Sequence, residues 1–201
     1  VNVSFSAANG AALSACDHVS NSSFSHNAQS GLSCNSNAAV SISGCSFSWN
    51  VNDGLELRNT QGGTVANSVL QGNLRWGAYL ESIWSSPGAV FLRCSFVGNA
   101  QYGVYVDEGY VSVRYSVLRG NGNAGLEANW GYVALDSNLI TQNGLQQNGC
   151  GGVCGYWFYS LAMTNNVLTL NGGSAVAAQN IESTQPVSSF QVRSHFATSL
   201  A

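Results

Sequence analysis

Glu56, Arg58, Tyr79, Glu81, Tyr105 and Asp107 share an arrangement that could do chemistry: each stands six or eight residues after an Asn, namely Asn50, Asn73 or Asn99. The full rows read Ser33, Glu56, Tyr79, Tyr105 and Glu127 at plus six, and Asn35, Arg58, Glu81, Asp107 and Asn129 at plus eight. Seven of these ten are charged or aromatic in a chain that is only 7% charged, so the concentration calls for an explanation. If successive copies stack one strand spacing apart, about 4.8 Å, Glu81 and Asp107 become near-contact carboxylates with Arg58 on the far side of Glu81. Carboxylates that close share a proton or hold a cation, and Glu108 could join Glu81 and Asp107 around a metal. Tyr79 and Tyr105 could stack on sugar or serve as phenolic acid and base. Trp76 and Tyr102, each three residues after its Asn, extend the aromatic surface. In an enzyme the working set would be Glu56, Glu81, Asp107 and Tyr105, with Arg58 clamping substrate. As a binding face, Arg58, Trp76, Tyr79, Tyr102 and Tyr105 with these acids suit a neutral or basic glycan better than a polyuronate. A purely structural alternative stands beside both: Tyr favours strands, and an Arg beside two acids is an ordinary surface network.

The spacing rests on an internal repeat. Asn27, Asn50, Asn73, Asn99, Asn121, Asn143 and Asn171 follow one another at steps of 23, 23, 26, 22, 22 and 28 residues. Three residues before each Asn stands Phe24, Phe47, Leu70, Phe96, Leu118, Ile140 or Leu168. Further apolar rows fall at minus eight (Ile42, Val65, Phe91, Val113, Leu135, Met163), plus five (Leu32, Leu55, Ala78, Val104, Leu126) and plus seven (Cys34, Leu57, Leu80, Val106, Ala128). Alternation at period two within short segments means strands, and no stretch sustains a period of 3.6.

Coils of 22 to 23 residues with two or three short strands each predict a right-handed parallel β-helix of eight to nine coils, about 40 Å long at one strand spacing per coil. Asn is expected to take a left-handed corner and to pass amide hydrogen bonds to the next coil. The Gly four residues later is expected to permit the next bend. The minus-five row (Ser22, Cys45, Ser68, Cys94, Ser116, Asn138, Asn166) is small or polar, and hydrogen bonds to neighbouring backbone are expected there. The stretch 5–16 reads as a first coil with Ala8 in the Asn place, and 190–193 begins a last one. Neither end offers a capping helix or polar plug, so the single domain, 1–201, is expected to continue into more protein or to be capped by a partner.

A loop insertion is expected at 144–159, where the repeat lengthens. Cys150 and Cys154 could close a small disulfide ring there, and of the aromatic run 156–159 at least two rings should lie outside, making Trp157 and Tyr159 binding candidates. Cys16 and Cys34 lie nearly one coil apart and could pair. Cys45 and Cys94 are separated by an intervening coil and could not. His18, His26 and His195 fall in unrelated coil positions without ligand spacing, so no cofactor is implied.

The segments "FSHN", "FSWN" and "FVGN", followed by "SGL", "DGL" and "YGV", resemble the repeats of pectate-lyase-like parallel β-helices and of polymorphic outer-membrane autotransporter passengers. The resemblance covers nearly the whole chain and implies the fold. It also implies where a carbohydrate-active member would work, on the outer face of one parallel sheet. The clustered Asp sets and His-containing patterns of polygalacturonases, pectate lyases and alginate epimerases are not recognisable, and several coils carry Leu or Ile in place of Phe.

Six Lys and Arg against nine Asp and Glu leave no basic field for nucleic acid, and no apolar run is long enough to span a membrane. Six Cys and the sequons at Asn2 and Asn21 point to an extracellular or cell-surface setting. The expected function is a non-enzymatic β-helix module that binds a glycan or a neighbouring subunit of a larger assembly. The alternative is a polysaccharide lyase or glycoside hydrolase.

Overall fold

The computed structural model describes residues 2–4, 6–14, 16–145 and 149–178, together with the backbone of the strand Gln191–Val192. Strands wind around a common axis as a parallel β-helix. One sheet has nine strands, among them Ser23–Ser25, Ser46–Ser48, Val69–Gln71, Ser95–Val97 and Val117–Arg119, each hydrogen-bonded to its equivalent one coil away. A second, twelve-stranded sheet wraps the remaining circumference. The stations Ser6, Asn27, Asn50, Asn73, Asn99, Asn121, Asn143 and Asn171 mark seven complete turns within the described residues, slightly fewer than the eight to nine expected. Residues 190, 193 and 195 lie outside the described residues.

The apolar rows face inward as their period requires. Phe24 pairs in register with Phe47, Phe47 with Leu70, and Leu70 with Phe96, and all are at most 4% exposed. The Phe24 and Phe47 rings stack at 5.4 Å. Burying one such side chain contributes about 2 kcal/mol, so a continuous internal column is the main source of stability.

The Asn row is an amide ladder, fully buried from Asn27 to Asn143 and half-buried at Asn171. Asn50 Nδ2 donates to Asn73 Oδ1 at 3.0 Å, and Asn73 Nδ2 donates to Asn99 Oδ1 at 2.9 Å. The second Nδ2 proton of Asn73 goes to the Phe47 carbonyl on the preceding coil, and the Asn73 backbone N–H goes to Asn99 Oδ1. Each interior amide thereby donates twice and accepts twice, which uses its full capacity. In the N-terminal coil the place belongs to Ser6, whose N–H bonds Asn27 Oδ1, because Val3 is the partner of Phe24; Ala8 does not hold it. The minus-five row carries a second ladder, in which Asn138 Nδ2 donates to Asn166 Oδ1 and the Ser116 N–H bonds Asn138 Oδ1.

Two expectations about the corners change. The left-handed residue is the one before the Asn, for example His26 (φ 56°), Trp49 (φ 58°) and Gly98 (φ 63°), because the Asn itself must hold its amide in the ladder. The Gly four residues after the Asn is needed for space. A Cβ on Gly54 would lie 2.7 Å from the Gly77 carbonyl oxygen and 2.8 Å from Asn73 Nδ2.

In the early coils the two strands of the larger sheet are separate, as with Leu55–Arg58 and Gly63–Ala66. From Tyr102–Arg114 onward they merge into one long strand, bent at Glu108 (φ 67°) and at Trp130 (φ 58°) in the next coil. The insertion expected at 144–159 is smaller than a loop of that length. Cys150–Thr164 is a continuous strand, and register shifts around Asn129 and Trp157 absorb part of the extra length. Disulfides join Cys16 to Cys34 and Cys150 to Cys154, while Cys45 and Cys94 are buried free thiols. No helix among the described residues is long and apolar enough to cross a membrane.

Candidate functional site

The outward rows of the larger sheet are set side by side by strand register. Glu56 pairs with Tyr79, Tyr79 with Tyr105 and Tyr105 with Glu127; Arg58 pairs with Glu81, Glu81 with Asp107 and Asp107 with Asn129. A third row, three residues after each Asn, holds Ser30, Asp53, Trp76 and Tyr102 beside them. Inward Leu55, Leu57, Ala78, Leu80, Val104 and Val106 are fully buried and fix the strands from beneath.

Arg58 is held by two carboxylates. Its Nε is hydrogen-bonded to Glu56, and its Nη1 lies 2.8 Å from Glu81 Oε2. Burial works against the Arg58 charge, but Glu56 and Glu81 more than offset this and its pKa is raised. The Tyr79 hydroxyl donates to Glu81 Oε2 at 3.0 Å, and burial together with this bond pushes its pKa well above the ordinary phenol value. Asp107 is raised by burial and by the Glu81 charge beside it. The Tyr105 hydroxyl accepts from Asn129 Nδ2 at 2.8 Å, and Asn129 Oδ1 is a buried acceptor without a partner among the described residues.

The rings pack on one another. Tyr105 lies between Trp76, at 4.5 Å, and Tyr102, at 5.5 Å, so Trp76 and Tyr102 meet through it. Arg75 covers the Trp76 ring at 3.6 Å, and the Trp76 indole N–H donates to Gln101. Trp76 and Tyr79 are only 7% exposed, which leaves Tyr102 and Tyr105 as the half-buried rings a ligand can reach. Trp157 and Tyr159 belong to another cluster near the bend, where Trp157 stacks on Trp130 at 4.9 Å and Tyr159 on Tyr132 at 5.0 Å. Tyr156 and Trp157 are the exposed rings of the 156–159 run, while Phe158 is fully buried. Glu108 is exposed at its bend, and among the described residues no three His, Cys, Asp or Glu gather as metal ligands, Glu81, Asp107 and Glu108 included. His18 and His26 are exposed and stand outside these rows, and His195 lies outside the described residues.

Asp53 is the residue that sequence reasoning passed over. It is 2% exposed, its carboxylate accepts from the Trp76 backbone N–H at 3.3 Å, and burial pushes its pKa up to about 6 despite Arg75 nearby. The signal was available, since Asp53 holds the same place after Asn50 as Trp76 does after Asn73. Toward the C-terminal coils the face opens into a cleft of about 440 Å³ lined by Tyr102, Glu127, Cys154 and Tyr156 among others. Burial raises the Glu127 pKa, and the Tyr102 hydroxyl, donating to it, acts the other way.

No curated protein matches the chain. Two solved structures resemble it: a double mutant of the periplasmic alginate epimerase AlgG, at 12% identity and TM-score 0.66, and the A-module of the Azotobacter vinelandii mannuronan C-5 epimerase AlgE4, at 15% and 0.68. The alignments cover 87% and 81% of this chain but only 44% and 49% of those structures, so the chain spans just under half their length. At these identities the likeness establishes the fold alone. The model of the right-handed β-helix region matches residues 1–140, and the chain belongs to that family.

Proposed function

We propose that the chain is a glycan-binding β-helix module without catalytic activity of its own, serving outside the cytoplasm, at a cell surface or within a larger assembly. The observation that carries this reading is the continuous strip from Glu56 and Arg58 through Tyr79, Glu81, Tyr105 and Asp107, which strand register lays along one sheet. Aromatic rings beside hydrogen-bonding carboxylates are suited to the apolar faces and hydroxyl edges of sugars. The charge state argues for binding over turnover. Arg58 is already neutralised by Glu56 and Glu81, and the Tyr79 proton is held by Glu81. Asp53, Glu56, Glu81, Asp107 and Glu127 outnumber Arg58 and Arg75, which favours neutral or basic glycans over polyuronates. The two disulfides support an oxidising compartment.

A second reading, a carbohydrate-active enzyme using Glu56, Glu81, Asp107 and Tyr105, is supported by the two carboxylates Glu81 and Asp107, which strand register sets side by side. The solved structures of similar fold are named as epimerases acting on alginate or mannuronan. A glycan-array screen followed by product analysis of each hit separates the readings: binding without products is expected, and products lost in Glu81→Gln would establish the enzyme.

A further inference from the structure

The cleft beyond Tyr105 differs from the rest of the face in its charge balance. Its walls include Tyr102, Asn123, Glu127, Cys154, Tyr156 and Ser174, and no Lys or Arg is among the lining residues. Glu56 and Glu81 share Arg58, whereas the partner of Glu127 on this wall is the neutral Tyr102 hydroxyl. A half-buried carboxylate with no cation beside it among the described residues carries uncompensated negative charge in a partly desolvated place. Tyr102 and Tyr156 add rings whose faces attract cations, and Tyr156 is 59% exposed. A single carboxylate supplies too few oxygens for a bare divalent ion. A primary ammonium, with three donors and no acceptor, matches a carboxylate flanked by aromatic rings. At about 440 Å³ the cleft has room for a sugar ring carrying that group.

We propose that this cleft is a subsite for a primary ammonium, and that the glycan bound by the face is an amino-sugar polymer with free amines. The inference rests on the glycan-binding reading and narrows it to one class of ligand. The Cys150–Cys154 bridge fixes the strand segment beside Glu127, since Cys154 is the register partner of Glu127.

The test is calorimetric titration of the whole chain with a glucosamine trisaccharide and with its fully N-acetylated counterpart, which keeps the sugar rings and removes the charge. The wild type should bind the free-amine form at least tenfold more tightly, and added salt should weaken this binding. Glu127→Gln, which still offers Tyr102 an acceptor, should erase the preference without lowering the melting temperature. Tyr156→Ala, at an exposed position, should weaken free-amine binding several-fold. Equal affinity of the wild type for both trisaccharides, or a preference that survives Glu127→Gln, overturns the ammonium subsite and leaves the glycan-binding face standing. If neither trisaccharide binds, the subsite also falls, while the wider glycan screen still decides for the face.

Discussion

Arg58 Nη1 lies 2.8 Å from Glu81 Oε2 on the neighbouring coil, while Arg58 Nε is bonded to Glu56 on its own strand. The pair links two coils, yet both side chains are more than a third exposed, at 39% and 35%. Solvent screens such contacts, so Glu81→Gln should change stability by less than about 1 kcal/mol in denaturant unfolding. Any loss of glycan affinity in this variant would then report on the face itself. Asp107→Asn, which loses no ion pair among the described residues, provides the companion measurement.

Interior ladder positions should behave differently. Asn73→Ala removes two amide donors and an acceptor shared by two N–H groups, and strands their partners on the adjacent coils without water. Each stranded buried group costs about 1–3 kcal/mol, so a loss of at least about 3 kcal/mol is expected from chemical denaturation. Asn171→Ala, nearer the end of the described ladder, should cost less.

Gly54→Ala and Gly98→Ala separate crowding from backbone conformation. The first places a Cβ 2.7 Å from a backbone oxygen and should cost several kcal/mol or abolish folding. The second meets no atom within 4 Å and faces only its φ of 63°, a cost of about 1 kcal/mol. Equal effects would contradict this account of the repeat.

Asp53 predicts a pH dependence with a defined sign. Its folded-state pKa of about 6 lies above the ordinary value of 3.8, so between these values the folded state binds more protons than the unfolded one. Stability therefore falls as pH rises from about 4 to 6, and above that window the ionised group costs about 3 kcal/mol. Asp53→Asn should be more stable than wild type at pH 7, with the difference vanishing below about pH 4, as read from melting curves across pH. A buried carboxylate kept at such a cost is the pattern of a group retained for binding or chemistry.

Much of this architecture was legible because a solenoid repeats its errors as well as its signals. One Phe proves little, but Phe24, Phe47 and Phe96 aligned with Leu70 and Leu118 at a fixed offset from Asn identify an inward row. The outward rows followed from the same arithmetic, and strand register places Glu81 beside Asp107 as that arithmetic required. Harder to read was anything set by side-chain rotation or by contacts that the offset does not encode. The spacing could not reveal that Trp76 and Tyr79 would be covered on the outer face by Tyr105 and its neighbours, or that Trp157 would join Trp130 at the bend. The Gly row misled for a related reason. A glycine demanded by the neighbouring coil's carbonyl looks the same in sequence as one demanded by its own φ.

The amide ladder also sets a ruler for the molecule. Steps between consecutive Asn vary from 22 to 28 residues, yet the contacts between their amides stay at 2.9 to 3.0 Å. Added residues are therefore displaced sideways, as at 84–88 and at the register shifts around Trp157, while the pitch of the rod is conserved. Such a scaffold can gain new peripheral segments by insertion without rescaling its axis. The turn at 84–88 is the natural site for grafting a foreign loop.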